Sequence, residues 1–190
     1  MYWYTHSYAI HGCLMQTSLD FHYVWNVLVP RKINILLWRI ANDRIPTRLN
    51  LRDKGIDLHS VLCPVCEEVG ESTAHLFLAC MDSVVLWHKI ALWWGVNPPD
   101  LASINSMLCW SEREQMDVET RRSFDAVVLT TFWVIWTFRN NLLFGKSKFR
   151  KDELFDEIRS RSYFWFDNRR KKCKMLWDRW LSLPNMAQTV

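Results

Sequence analysis

Three cysteines and one histidine occur within eighteen residues of this sequence, at a spacing that suits the binding of one metal ion. Cys63 and Cys66 are two residues apart, and His75 and Cys80 follow in the pattern C-x2-C-x8-H-x4-C. Two thiolates at this spacing can bind one ion from a tight turn, and a histidine and a cysteine on a following helical turn can complete a tetrahedron. Because four protein ligands leave no position for water, the pattern predicts one structural Zn²⁺ and no hydrolytic centre.

Two other interpretations of these residues remain open. His59 is a rival ligand, although it lies on the other side of the cysteine pair from His75. The four residues can also be ordinary buried side chains, which requires that the spacing arose by chance. A catalytic cysteine is disfavoured because the Cys/His cluster is better explained as a set of ligands, and no separate nucleophile–base pair is evident.

Apolar residues at helical spacing predict the elements that must position the ligands. A cap at Ser72 or Thr73 is expected to start a short helix that carries His75 and approaches Cys80. Gly55, Gly95 and Gly145 are placed to end helices. The helices are predicted over residues 32–43, 47–54, 82–94, 119–144 and 152–183, with Asp82 as the cap of the third.

The fold class expected from this pattern is mainly α. It is a helical domain with an inserted CCHC zinc knuckle, followed by two long C-terminal helices. Glycine and proline are sparse, at 5 and 6 residues, so the sequence has few of the turn-forming residues that would separate many short strands. The predicted regions are a poorly defined N-terminal remnant (1–20), a zinc-binding domain (21–97), a linker (98–118) and a helical C-terminal region (119–190).

Basic side chains before the cysteines suggest a contact with phosphates. Arg44, Arg48 and Arg52 are spaced at i, i+4 and i+8 and are expected to share one helical face, with Arg39 and Lys54 nearby. These five residues are the candidate nucleic-acid residues, because such a stripe can neutralise several phosphates. The knuckle itself carries Glu67, Glu68 and Glu71, which would repel phosphate. A solvated basic face on an ordinary surface helix is the competing interpretation.

Several spaced motifs occur in sequence over residues 21–95. Their residues are Trp25, Pro30, Lys32, Trp38, Arg39, Arg44, Pro46, Thr47, Asn50, Leu51, the four candidate ligands and Trp87. The order of these motifs resembles that in the reverse transcriptase zinc-binding domain of plant non-LTR retrotransposons. The later stretch FWVIWTFRNNLLF resembles a Trp-x-x-Trp-x-x-Arg-Asn helix that often follows in such polyproteins. The resemblance implies a role with nucleic acid, RNA or DNA, beside other polyprotein domains.

The sequence carries no Tyr-x-Asp-Asp or Phe-x-Asp-Asp polymerase signature and no set of carboxylates suited to a two-metal nuclease. We therefore expect a non-enzymatic module with no small-molecule substrate. No secretory signal is recognisable, and the longest apolar stretch is too short to span a bilayer, which favours an intracellular protein, with nuclear import as an option, and no membrane partner. A zinc-stapled protein-interaction scaffold and an inactive retroelement relic are the alternative functions.

Overall fold

The computed structural model describes residues 25–145, 150–170 and 176–182, and the predicted N-terminal remnant lies outside them. The α-helices in the described residues are α1 (Arg31–Ala41), α2 (Arg48–Asp53), α3 (Met81–Trp94), α4 (Ile104–Leu108), α5 (Val118–Phe144), α6 (Leu154–Arg169) and α7 (Trp177–Ser182). A π-helix spans His75–Ala79, and 3₁₀ helices span Trp110–Arg113 and Lys151–Glu153. The expected mainly helical class with two long C-terminal helices, α5 and α6, is confirmed.

Caps of ordinary chemistry set most of the helix ends. The carboxylate of Asp117 accepts hydrogen bonds from the backbone of Glu119 and Thr120 at the start of α5. Gly95 and Gly145 end α3 and α5 at φ values of 63° and 62°, a region that glycine adopts without steric cost. The predicted cap at Asp82 is wrong, because α3 begins at Met81 and Cys80 occupies the cap position.

The predicted end of the last helix is also wrong. The helix was expected to run to residue 183, but α6 ends at Arg169, and Arg170 is extended with φ −87° and ψ 106°. Trp180 of α7 packs against Trp93 and Phe166 at ring-centroid distances of 5.4 and 5.3 Å. Burial of this indole outweighs the helical periodicity of the sequence; residues 171–175 and 183 lie outside the described part.

The core is built around α5, which packs against α1, α3 and α6. Two of its rings, Phe124 and Phe132, face a row of aromatic side chains. Phe132 lies 5.2 Å from both Phe77 and Trp87, and Phe124 lies 4.8 Å from Trp110. Tilted and edge-on ring contacts of this kind add to the free energy of burying the area itself. The aromatic residues thus join the π-helix, α3 and α5 in one core.

No described helix is both long enough and apolar enough to cross a membrane.

A fully buried ion pair joins the segment around the cysteines to α5. Both nitrogens of the Arg139 fork lie 2.6 Å from the carboxylate oxygens of Glu71. The same carboxylate accepts from the backbone N–H of Arg48 at 2.8 Å, and Arg139 also donates to the carbonyl of Pro46 at 3.2 Å. Glu71 was expected to repel phosphate, but here its charge is neutralised inside the protein.

We predict that Arg139→Ala lowers the free energy of unfolding by about 3–5 kcal/mol, since it leaves the Glu71 carboxylate buried without its cation. Urea unfolding in the presence of zinc, followed by circular dichroism, measures the change. Arg150→Ala is the matched control, because its partner Asp152 is exposed and the loss of that pair should change stability little. Equal stability of the two variants would contradict a structural role for the buried pair.

Candidate metal centre

The first two candidate ligands lie in a tight turn whose ends are paired. Leu62 and Gly70 form an antiparallel bridge, and the N–H of Cys63 donates to the carbonyl of Val69 at 2.7 Å. Within the turn, the carbonyl of Cys63 accepts from the N–H of Glu67 at 2.8 Å, and Glu67 adopts a left-handed φ of 62°. This backbone pairing holds the two cysteine sulfurs on the same side of the turn.

The other two ligands are brought together by a π-helical turn. In an α-helix, at about 100° per residue, two residues five apart point about 140° away from each other. Here the N–H of Cys80 donates to the carbonyl of His75 at 2.7 Å, the wider i→i+5 closure of a π-helix, which reduces this divergence. Ser72 caps the preceding turn by accepting from the N–H of His75 at 2.9 Å, as predicted.

Side chains of α3 satisfy the carbonyls of the π-helix. The hydroxyl of Ser83 donates to the carbonyl of Leu76, and the indole of Trp87 donates to the carbonyl of Phe77, both at 2.7 Å. All four residues are buried, where an unpaired carbonyl would cost about 1–3 kcal/mol. Trp87 therefore stabilises the backbone that positions His75 and Cys80.

The candidate ligand atoms fit a tetrahedral zinc ion. Those of Cys63, Cys66, His75 and Cys80 all lie within 4.8 Å of one another, and Cys66 Sγ lies 3.3 Å from His75 Nε2. With Zn–S near 2.3 Å and Zn–N near 2.0 Å, the edges of a tetrahedron are about 3.5–3.8 Å. The four residues therefore form a compact group that can hold one zinc ion.

The pKa values of the two buried thiols, Cys63 and Cys80, are shifted in opposite directions. A hydrogen bond from the Cys80 thiol, together with backbone N–H groups of Cys66 and Val65, lowers the pKa of Cys63. The pKa of Cys80 is raised because it donates to Cys63 and is buried beside it. The Cys80 thiol proton lies between two buried sulfurs, and a bound divalent cation would replace it. We therefore expect zinc binding to release protons.

Lys151 supplies a positive charge next to the ligands from a distant part of the chain. Its ammonium donates to the carbonyl of Val65 at 2.8 Å and to the carboxylate of Asp82 at 3.0 Å. Its pKa is raised, mainly by the hydrogen bond to Asp82 and further by the charges of Cys80 and Cys66. Three thiolates and one Zn²⁺ leave one negative charge, which this ammonium offsets. No local sequence signal indicates the contact.

In a comparison with known protein families, residues 4–87 match the family described as "zinc-binding in reverse transcriptase". This segment contains all four candidate ligands, which lie close enough to hold one zinc ion. Residues 4–87 match the reverse-transcriptase zinc-binding domain family. A search of curated proteins and a search of solved structures each found no match. The resemblance of the motifs to reverse-transcriptase zinc-binding domains is thereby confirmed, and residues 4–24 of the match lie outside the described part.

Several motif residues of this zinc-binding domain have structural roles. Thr47 caps α2, and the amide of Asn50 donates to Asp43 and to the carbonyl of Ile45, which fixes the loop between α1 and α2. The ammonium of Lys32 lies 4.6 Å from the ring centre of Trp133 on α5. These contacts within the protein explain why the motif has Thr47, Asn50 and Lys32 at these positions, and they do not require a ligand.

The predicted arginine stripe is divided by the structure. Arg44 precedes α2, so the three arginines do not share one helical face. Arg48 donates to the carbonyl of Leu62 at 2.7 Å and thus supports the knuckle, while Arg52 pairs with its neighbour Asp53. Arg39, Arg44 and Lys54 are exposed. His59, the rival ligand, is exposed and outside the cage.

We predict that Cys80→Ser, or treatment with a strong chelator, removes the zinc and unfolds the segment from the knuckle to the π-helix, because metal binding supplies folding free energy. Elemental analysis and circular dichroism measure the two effects. His59→Ala is the matched control and should retain one zinc per chain. A Cys80→Ser protein with full zinc content would contradict the ligand assignment.

We also predict that Lys151→Met weakens zinc retention, because it removes a positive charge beside the cage. The loss should be smaller than the roughly 10–100-fold that removal of a direct hydrogen-bond partner of a ligand causes. Competition with a chromogenic chelator measures the affinity. Lys54→Met removes the same charge from an exposed site and should leave the affinity unchanged. Equal zinc affinities for the two variants would show that the ammonium near Val65 does not stabilise the centre.

Proposed function

We propose that this chain is a non-catalytic, zinc-stabilised module of a retrotransposon-derived protein, and that it helps to hold nucleic acid. The observation that supports the proposal is the set of unpaired cations on the outer side of α1 and the loop after it. The guanidinium groups of Arg31, Arg39 and Arg44 make no ion pair or hydrogen bond with any described residue. Exposed cations that have no ion-pair or hydrogen-bond partner among the described residues are available to phosphates.

The metal supports a structural role in this proposal. Four protein ligands fill the tetrahedron, so zinc offers no position at which a substrate or water would be activated. The exposed carboxylates of Glu67 and Glu68 keep phosphates away from the knuckle. We therefore place the nucleic acid on α1 and Arg44, with the zinc centre holding the segment that follows.

A protein-interaction scaffold is the second candidate function, and one surface favours it. Met81, Val85 and Leu92 follow one another along the outer side of α3, and Met81 and Leu92 are 71% and 80% exposed. An apolar row of this kind is typical of a contact surface. This function would be the remaining candidate if the protein bound no nucleic acid.

We predict that the double variant Arg39→Glu/Arg44→Glu binds single-stranded RNA and DNA more weakly than the unchanged protein. The slope of affinity against salt should also fall, by roughly 0.7 for each lost phosphate contact. Fluorescence anisotropy at two salt concentrations measures both quantities.

Arg113→Glu/Arg150→Glu is the control with the same charge change, made at exposed arginines on other elements. Arg48 is left unchanged, because its side chain holds the carbonyl of Leu62 beside the knuckle. If the α1 variant and the control lose affinity equally, the binding reflects net charge only. If the unchanged protein does not bind at low salt, the nucleic-acid proposal fails.

A further inference from the structure

The outer face of α1 combines apolar and basic side chains. Ile33, Leu36, Leu37 and Ile40 are buried on its inner side. The exposed residues on the opposite side recur at helical spacing and are Arg31, Ile35, Trp38, Arg39 and Asn42. The core of the protein accounts for the inner side only. The exposed apolar residues at the centre of the outer face, Ile35 and Trp38, are therefore available for contact with a partner.

Trp38 is the aromatic residue at the centre of this outer face. Its side chain is 42% exposed, whereas Trp87, Trp94, Trp110 and Trp180 are almost completely buried. The guanidinium of Arg44 lies 5.3 Å from the centre of the Trp38 ring. This cation–π contact orients the ring and the cation together on the surface. The arrangement presents an indole beside a group that can bind phosphate.

The charges around Trp38 favour an anionic partner. Arg39 adjoins Trp38, and the N–H of Arg44 donates to the carbonyl of Arg39 at 2.7 Å, which keeps the two arginines close. Residues 31–42 contain no carboxylate. The nearby carboxylate of Asp43 accepts hydrogen bonds from the amide of Asn50 at 2.9 Å and from the hydroxyl of Thr73. Its charge is thus engaged by a residue of α2 and by a residue just before the π-helix.

We propose that Trp38 stacks on an unpaired base while Arg39 and Arg44 bind the adjacent phosphates, so that this surface selects single-stranded over double-stranded nucleic acid. This inference rests on the nucleic-acid binding proposed above and adds the strand preference and the stacking residue. Every base has a flat face, so stacking on an indole is tolerant of sequence, and nearby cations bind the backbone.

A duplex fits the same surface less well. An α-helix that enters the major groove identifies bases through polar contacts to their edges. At the centre of the outer face of α1, Ile35 has no polar atom and Trp38 offers one indole N–H. In a duplex, the faces of the bases are already stacked on their neighbours. The apolar centre is therefore better suited to a base that is free to leave the stack.

The test measures the binding of Trp38→Ala and Trp38→Phe to a labelled oligonucleotide of roughly twelve nucleotides, a length within the usual site size. The arms are single-stranded RNA, single-stranded DNA and a duplex of the same sequence. Trp38→Ala should weaken both single-strand arms by roughly five- to a hundredfold and the duplex arm much less. Trp38→Phe, which keeps an aromatic face, should retain most of the affinity.

Phe164→Ala removes another exposed aromatic side chain, 62% exposed on α6, and should have no effect. Zinc content and circular dichroism confirm that each variant is folded. If Trp38→Ala binds single strands normally while Arg39→Glu/Arg44→Glu does not, stacking is overturned and the proposed function stands. If Trp38→Ala weakens single strands and duplex equally, the strand preference is overturned. If no arm binds the unchanged protein, both proposals fail.

Discussion

The segment between α1 and α3 is held by polar and metal-binding groups because it has little apolar surface to bury. Among residues 48–72, the buried side chains are Cys63, Val65 and Glu71. Burial of one valine contributes about 1.5–3 kcal/mol, whereas a structural zinc ion contributes of order 10–16 kcal/mol. The zinc cage is therefore the dominant constraint on this segment, and the ion pair between Glu71 and Arg139 attaches its far end to α5.

Because the segment around the cysteines buries little apolar surface, it is also held by contacts with α5 and with the residues that follow α5. Arg139 binds Glu71, Lys32 lies over Trp133, and Lys151 donates to the carbonyl of Val65. The Trp-x-x-Trp-x-x-Arg-Asn stretch thus supplies contacts for two parts of the zinc-binding domain, although the family match ends at residue 87. These contacts give a physical reason for the two motif sets to occur in one chain.

The compact group of Cys63, Cys66, His75 and Cys80 was predictable from the sequence because the chemistry and spacing of these residues are local. The helix ends at Gly95 and Gly145 and the cap at Ser72 were predictable for the same reason, since each depends on a few neighbouring residues. The burial of Glu71 was not predictable, because its partner is 68 residues away. The end of α6 was missed because contacts of Trp180 with distant rings override a continuous helical pattern.

The exposure of Trp38 also depended on the three-dimensional arrangement. A tryptophan in an apolar helix is usually part of the core, and only the positions of its buried neighbours show that this one lies on the opposite side. The predicted arginine stripe failed as a single helical face, because the loop between α1 and α2 separates Arg44 from Arg48. The two arginines that remain beside Trp38 are Arg39 and Arg44.

X-ray absorption at the zinc edge, measured on the purified protein, tests the metal centre most directly. We expect one zinc per chain with three sulfur neighbours near 2.3 Å and one nitrogen neighbour near 2.0 Å. A protein that purifies folded without bound zinc, or a spectrum dominated by oxygen neighbours, would contradict a zinc site made of three cysteines and one histidine.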